Sequence, residues 1–171
     1  MSNSTTAIKI LNQEFSELKA FVESLGDWSL RFCQLDRGPT SIHVLQAACG
    51  GIFLGYGRFN RRYEQRNISP IGMRTFALLS RWTTDVHWRD EELNDRSLVS
   101  YPLDREIIAV SGPDFRVFTL TVPESLLIER AEVLGYPQIT RLLREVGNHF
   151  RVTIPALYRL RSHLCEPFVP T

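Results

Sequence analysis

Four histidines, His43, His87, His149 and His163, are the side chains best suited to hold a metal or move a proton near neutral pH. Only His87 has other ligand types close by, in Asp85-x-His87 with Glu91 and Glu92 following. On a strand, Asp85 and His87 point to the same face. A metal site needs three or four convergent ligands, and this short run supplies fewer, so no metal site and no cofactor is expected. Serine chemistry has no better footing, because the Gly-x-Ser-like environments lack the elbow spacing. Neither phosphate-cradling glycine pattern is present, which leaves Gly55-Tyr56-Gly57 as a structural element within a strand. The chain is therefore not expected to be an enzyme.

Binding chemistry is better represented. Arg58, Arg61, Arg62 and Arg66 alternate with Phe59 and Tyr63, a mixture able to meet phosphate, a stacked base or an acidic effector, or simply to form the wet face of a half-buried strand. Trp82, Trp88 and Tyr101 flank His87, and aromatics with a few polar groups line small-molecule pockets as readily as they fill a core. By alternation, Arg74, Trp82, His87 and Tyr101 are the candidate ligand-binding residues.

The elements that must position these residues are short. Turns at Asn94-Asp95, Pro102-Leu103-Asp104 and Gly112-Pro113-Asp114 cut the chain between Asp85 and Thr121 at close intervals. About eight strands are predicted between Trp28 and Thr121: 28–35, 41–49, 52–65, 72–80, 86–93, 97–101, 107–110 and 115–121. Links this short make the strands mainly antiparallel and exclude a doubly wound nucleotide fold. Ahead of them, Ile8, Leu11, Phe15, Leu18, Phe21, Val22 and Leu25 recur at helical spacing and predict one helix over 7–25, stopped by Gly26. Behind them, Thr121 and Glu124 have capping-box spacing for a helix over 124–134 that ends at Gly135 and Pro137. Ile139, Leu142, Leu143, Val146 and Phe150 mark a second apolar stripe, and Leu157, Leu160 and Leu164 a third after Pro155. The division is thus 1–27, an N-terminal helix; 28–122, a β-barrel; and 123–171, a helical region.

Composition sets the outer limits. A length of 171 residues is that of one domain with an appendage, and 43% hydrophobic with 23% charged residues is ordinary for a globular protein. With 20 basic and 19 acidic side chains, no overall field draws the chain to DNA or to an anionic membrane. Cys33, Cys49 and Cys165 are odd in number and widely spaced, as expected of free thiols in a reducing compartment. No signal peptide or membrane span is visible, so a cytoplasmic location is expected.

Three phrases, CQLDRGPTSIHVLQA, GYGRFNRRYEQRN and SLVSYPLDREIIAVSGPDFRVFTLTVPESLL, together resemble the amino-terminal sensor domain of AraC-type transcription regulators over residues 28–135. That resemblance implies a mainly β fold with helices (α+β), a cupin-like double-stranded β-helix barrel of jelly-roll kind. It also implies a small-molecule effector of unknown identity in the barrel and a homodimer formed by the following helices. DNA is met only through a separate carboxy-terminal pair of helix-turn-helix units, and about thirty-five residues after Gly135 are too few for two such units, so a truncated regulator or stand-alone sensor is expected. The candidate dimer surface is Ile139, Leu142, Leu143 and Val146. Against the second metal-cupin motif, Pro102 falls on the motif's proline, Asp104 on its second glycine and Ile107 on its histidine, while residues 66–82 contain no histidine where the first motif belongs. An aliphatic Ile107 cannot ligate a metal. The rivals to a sensor are a small cupin-type enzyme resting on Asp85 and His87, and a structural dimerisation module whose barrel is filled by its own aromatics.

Overall fold

A computed structural model describes residues 8–80, 85–89, 91–144, 149–151 and 154–165. Its elements, in chain order, are β1 (Lys9–Phe15), α1 (Leu18–Ser24), β2 (Ser29–Gln34), β3 (Ile42–Cys49), β4 (Ile52–Phe59), β5 (Tyr63–Ile68), β6 (Met73–Leu79), β7 (Val86–Trp88), β8 (Glu91–Leu93), β9 (Ser97–Ser100), β10 (Ile107–Ser111), β11 (Phe115–Pro123), α2 (Glu124–Val133), α3 (Gln138–Arg144), β12 (His149–Arg151) and α4 (Ile154–Cys165). The protein is β-rich, with four short helices among the described residues.

The strands form two antiparallel sheets. One has seven strands in the order β1-β3-β4-β11-β6-β9-β12, the other five in the order β2-β5-β10-β7-β8. From β4 to β11 the chain passes repeatedly from one sheet to the other, so among the described residues of that stretch the only hairpin neighbours are β7 and β8. Each crossing turns the chain over the edge and lays the sheets face to face. No hydrogen-bonded strand pair among the described residues joins them, so the roll is not a closed barrel.

The core lies between the sheets. Ile42, Val44, Phe59 and Phe115 from the larger sheet meet Tyr63, Val86, Trp88, Ile107 and Ala109 from the smaller one. The strand patterns account for this. In β5, Tyr63, Gln65 and Asn67 are buried while Glu64 and Arg66 face out, and in β10, Ile107, Ala109 and Ser111 are buried while Ile108 is exposed. Phe59 stacks on Phe32 with centroids 5.7 Å apart, and Phe21 of α1 meets both rings edge-on. The turns follow their residue types: Asp104 and Asp114 adopt positive φ at the two turns flanking β10, and Asn94 Oδ1 accepts the amide of Arg96.

Several expectations are corrected, among them the 86–93 strand, which is the hairpin of β7 and β8. The single helix over 7–25 is a strand followed by a seven-residue helix, with β1 paired to β3 from Lys9↔Ala48 to Phe15↔Ile42. Leu11 and Phe15 are four residues apart, a spacing that shares a helix face and equally a strand face, and the free edge of β3 decides for the strand. The 52–65 run breaks at Asn60-Arg61-Arg62 rather than running through, and its two halves enter different sheets. The capping box at Thr121 does not form. Thr121 is still inside β11, buried, with its hydroxyl on that of Thr75, while α2 begins after Pro123 without a side-chain cap. Gly135, at φ +74°, does end α2 as expected. The second stripe is split by β12, which pairs with β9.

Candidate ligand site

Two glycines make room inside the roll. Gly55 and Gly57 of β4 sit on its inner side, opposite Thr119 and Val117 of β11. A Cβ on Gly55 would lie 2.5 Å from Thr119 Oγ1, and one on Gly57 2.9 Å from the Phe59 ring, so both positions require the missing side chain. Over this floor lies a cavity of about 100 Å³. Leu30 and Phe32 of β2 and Val117 of β11 supply its apolar walls, and Phe21 and Leu25 of α1 and the following turn close one side. A smaller pocket of about 70 Å³ abuts it, sharing Leu25, Trp28 and Gln46 and adding Asp27, Phe53 and Pro70.

The polar members of the wall are neutral, among them Gln46, Tyr56, Gln65, Asn67, Tyr101 and Thr119. Gln65 Nε2 donates to Ser111 Oγ at 3.0 Å. Asn67 is 4% exposed, and its Oδ1 is buried with no hydrogen-bond partner. Tyr101 packs between two indoles, Trp88 at 5.1 Å and Trp28 at 6.2 Å between centroids. Burial of its hydroxyl end pushes the Tyr101 phenol up to about 12, and the Asn67 side chain beside it opposes that shift. Trp88 Nε1 is a second buried polar atom without a partner. Asn67, Trp88 and Tyr101 meet at one corner, where the Asn67 side chain bonds the Tyr101 phenol while Asn67 Oδ1 and Trp88 Nε1 have no partner.

Arg74 performs the opposite role. It pairs with Val122 across β6 and β11, a register that places it on the face away from the cavity. Only 3% exposed, its guanidinium donates to three elements at once. Nε reaches Glu124 Oε2 at 2.8 Å, Nη1 the carbonyl of Tyr101 at 2.8 Å and Nη2 the carbonyl of Leu143 at 2.7 Å. The first residue of α2, the C-terminal turn of α3 and the backbone of a cavity residue thus meet on one side chain.

No family model matches the chain, and no curated protein matches it. Among solved structures it is similar to one described as the crystal structure of the AraC-like transcriptional activator CuxR, with a TM-score of 0.53 and 11% identity over 94% of this chain and 81% of that one. The chain shares the fold of an AraC-like activator. At that identity the likeness concerns the path of the chain and not the residues of any site. No helix among the described residues is long and apolar enough to cross a membrane.

The structure separates the four candidate ligand residues of this AraC-like fold. Tyr101 lines the cavity. Arg74 lies in the three-way knot behind it. His87 is exposed on the outer side of β7, its Nδ1 3.7 Å from Asp85, whose other oxygen meets Arg62 at 3.2 Å. Trp82 lies outside the described residues. No group of three or more histidine, cysteine, aspartate or glutamate side chains among the described residues is placed to hold a metal.

The arginine cluster also disperses. Arg58 is on the larger sheet with Asp114 at 2.9 Å, whereas Arg66 is on the smaller one with Glu64 at 2.9 Å. Of the four candidate dimer residues, Leu143 is buried within its own chain, Ile139 and Leu142 are half-buried and Val146 lies outside the described residues. Large exposed apolar groups occur one turn earlier, at Val133, Leu134 and Tyr136.

Trp28, Gln65 and Asn67 are among the wall residues that the sequence reading did not name as site residues. A signal for two of them was present. Glu64 and Arg66 are strand positions that must face water, so Gln65 and Asn67 must face inward, and amides facing inward need partners.

Proposed function

We propose that this chain is the effector-sensing domain of an AraC-type transcription regulator, a cupin-like roll that binds a small molecule between its sheets and controls a DNA-binding helix-turn-helix domain. The observation that carries this reading is the cavity over Gly55 and Gly57, with Tyr101 in its wall and the Tyr101 carbonyl held by Arg74. A ligand that shifts Tyr101 acts on Arg74, and through it on the first residue of α2 and the last turn of α3. An effector works only through its differential affinity for two arrangements of the domain, and a shared side chain of this kind is an element both arrangements would have to reset. A homodimer through the helical region fits the same scheme, with Val133, Leu134 and Tyr136 exposed beside Ile139. On this reading the protein is cytoplasmic and has no catalytic role of its own.

The test is a thermal-shift screen of a small-molecule metabolite library against the wild-type chain and against Leu30→Trp, which fills the cavity. A true effector at a hundred times its dissociation constant adds about 2.7 kcal/mol of stability. The expected result is one or more compounds that raise Tm in the wild type and not in Leu30→Trp. A library that shifts neither protein would favour the structural dimerisation module, in which the roll is only a scaffold.

A further inference from the structure

We infer that the ligand of this cavity is an uncharged molecule, one ring in size, whose single neutral polar group, a hydroxyl, carbonyl or amide, is read by Gln46 and Thr119 across Gly55. The inference rests on the sensor reading and deepens it by naming the ligand's chemistry.

Strand register places the polar group. Gln46 of β3 pairs with Gly55 of β4, and Gly55 pairs in turn with Thr119 of β11, so the three form one row on the inner face of the larger sheet. All three line the cavity. Because the middle residue has no side chain, the outer two face each other over a gap two strand spacings wide, roughly 10 Å between Cα atoms. Thr119 Oγ1 leans into that gap, so that a Cβ on Gly55 would lie 2.5 Å from it. Neither the Gln46 amide nor the Thr119 hydroxyl hydrogen-bonds another described residue, and neither is sealed from water. Gln65 and Asn67 differ in this, their side chains being engaged with Ser111 and Tyr101. An amide and a hydroxyl each donate and accept, so a ligand hydroxyl, carbonyl or amide set over Gly55 suits both. The same ring without that group would cover the two polar side chains and leave them unpaired.

The rest of the wall selects against charge. Every side chain lining the cavity is apolar, aromatic, a neutral amide or a hydroxyl, with glycine making up the rest, so an ionised group inside has no counter-charge. The Tyr101 phenol, pushed up to about 12, stays neutral at pH 7. Gln46 also lines the adjoining pocket, where the carboxylate of Asp27 repels an anion.

Size follows from volume and from the rings. About 100 Å³ is the scale of one small ring, given that benzene occupies an engineered apolar cavity of about 150 Å³. Phe21, Phe32, Phe59 and Phe115 bound this space with ring surface, which suits an apolar body and leaves the many hydroxyls of a polyol without partners.

The experiment is calorimetric titration of the chain at pH 7 with benzyl alcohol, toluene, benzoate and benzylammonium, which share one ring and differ in its head, repeated with Gln46→Leu and with Thr119→Val. Benzyl alcohol is expected to bind about tenfold more tightly than toluene in the wild type, the worth of one or two neutral hydrogen bonds, with both ions weaker than toluene. Each substitution is expected to narrow the gap between benzyl alcohol and toluene and to leave toluene unchanged. If Gln46→Leu does not fold, Thr119→Val decides. Either ion binding as tightly as benzyl alcohol, toluene equal to it, a gap that survives substitution, or no binding by any of the four would overturn the ligand class. A library compound that still protects the wild type and not Leu30→Trp would show in each of those cases that the sensor reading stands; a silent library would remove both.

Discussion

Two buried polar sites lie on opposite sides of the same strand end, and they are built to opposite standards. The knot around Arg74 is complete: Glu124 and the carbonyls of Tyr101 and Leu143 receive its donors within 2.8 Å. The corner around Asn67 and Trp88 is incomplete, with an acceptor and a donor sealed from water and bonded to nothing. Tyr101 belongs to both, its carbonyl in the knot and its ring in the corner. A finished cluster fixes geometry, whereas the other side of Tyr101 borders the cavity and carries no such restraint. The contrast is the physical basis for placing the ligand on one side of Tyr101 and the response on the other.

Breaking the knot should have the largest effect. Arg74→Met strands a largely buried Glu124 and two carbonyls, and a loss of about 3–5 kcal/mol is expected by urea unfolding. A loss under about 1 kcal/mol would mean that water replaces the guanidinium and that the knot holds nothing. The cavity floor comes next. Gly57→Ala sets a methyl 2.9 Å from the Phe59 ring, and overpacking of that kind costs about 1–3 kcal/mol.

The open corner should behave in the reverse sense. Trp88→Phe deletes a donor that has no partner but also part of a core ring, so the expected loss is that of the cavity alone, about 1–2 kcal/mol. A loss above about 3 kcal/mol would reveal a bond to Nε1 and weaken the contrast with Arg74.

Titration sharpens the comparison further. Because the folded protein holds the Tyr101 proton to about 12, above the ordinary value near 10, it binds more protons than the unfolded chain in that interval. Its contribution to stability is complete below about pH 10 and is lost as pH rises towards 12. Difference absorbance of the wild type against Tyr101→Phe measures the transition, and a midpoint near 10 would place the phenol in water.

The smallest effect belongs to the surface. At Asp114, burial draws the carboxyl upward, but hydrogen bonds and charge from Arg116 and Arg58 outweigh it and leave the group below its usual range. That support is present above the ordinary carboxylate pKa and fades as pH falls through the lowered one. Asp114→Asn should therefore remove a small part of the acid sensitivity of unfolding, and a change above about 1 kcal/mol at pH 7 would exceed what an exposed pair supplies.

Much of the frame was legible in the residues. Pro102-Leu103-Asp104 and Gly112-Pro113-Asp114 are turns because aspartate tolerates the positive φ found at Asp104 and Asp114, and a strand stands between them as expected. The antiparallel arrangement followed from links too short for parallel crossovers. What was not legible depended on partners distant in sequence. Residues 9–15 satisfy a helix period and a strand period alike, and only the edge of β3 chooses between them. Arg74 and Tyr101 were both candidates for a ligand, and nothing local distinguishes a residue facing the cavity from one facing Glu124, fifty positions later. Asn67 lies on the inner face of the strand whose outer face carries Glu64 and Arg66.

The most direct test of the account is hydrogen–deuterium exchange of the chain with and without a saturating compound that raises Tm in the wild type and not in Leu30→Trp. Protection is expected in β5 around Gln65 and Asn67, at Tyr101, and also in α3 up to Leu143, on the far side of Arg74. In Arg74→Met the first two should persist and the third should disappear. Protection at the cavity with no change in α3 of the wild type would contradict the claim that this roll reports its ligand to its C-terminal helices.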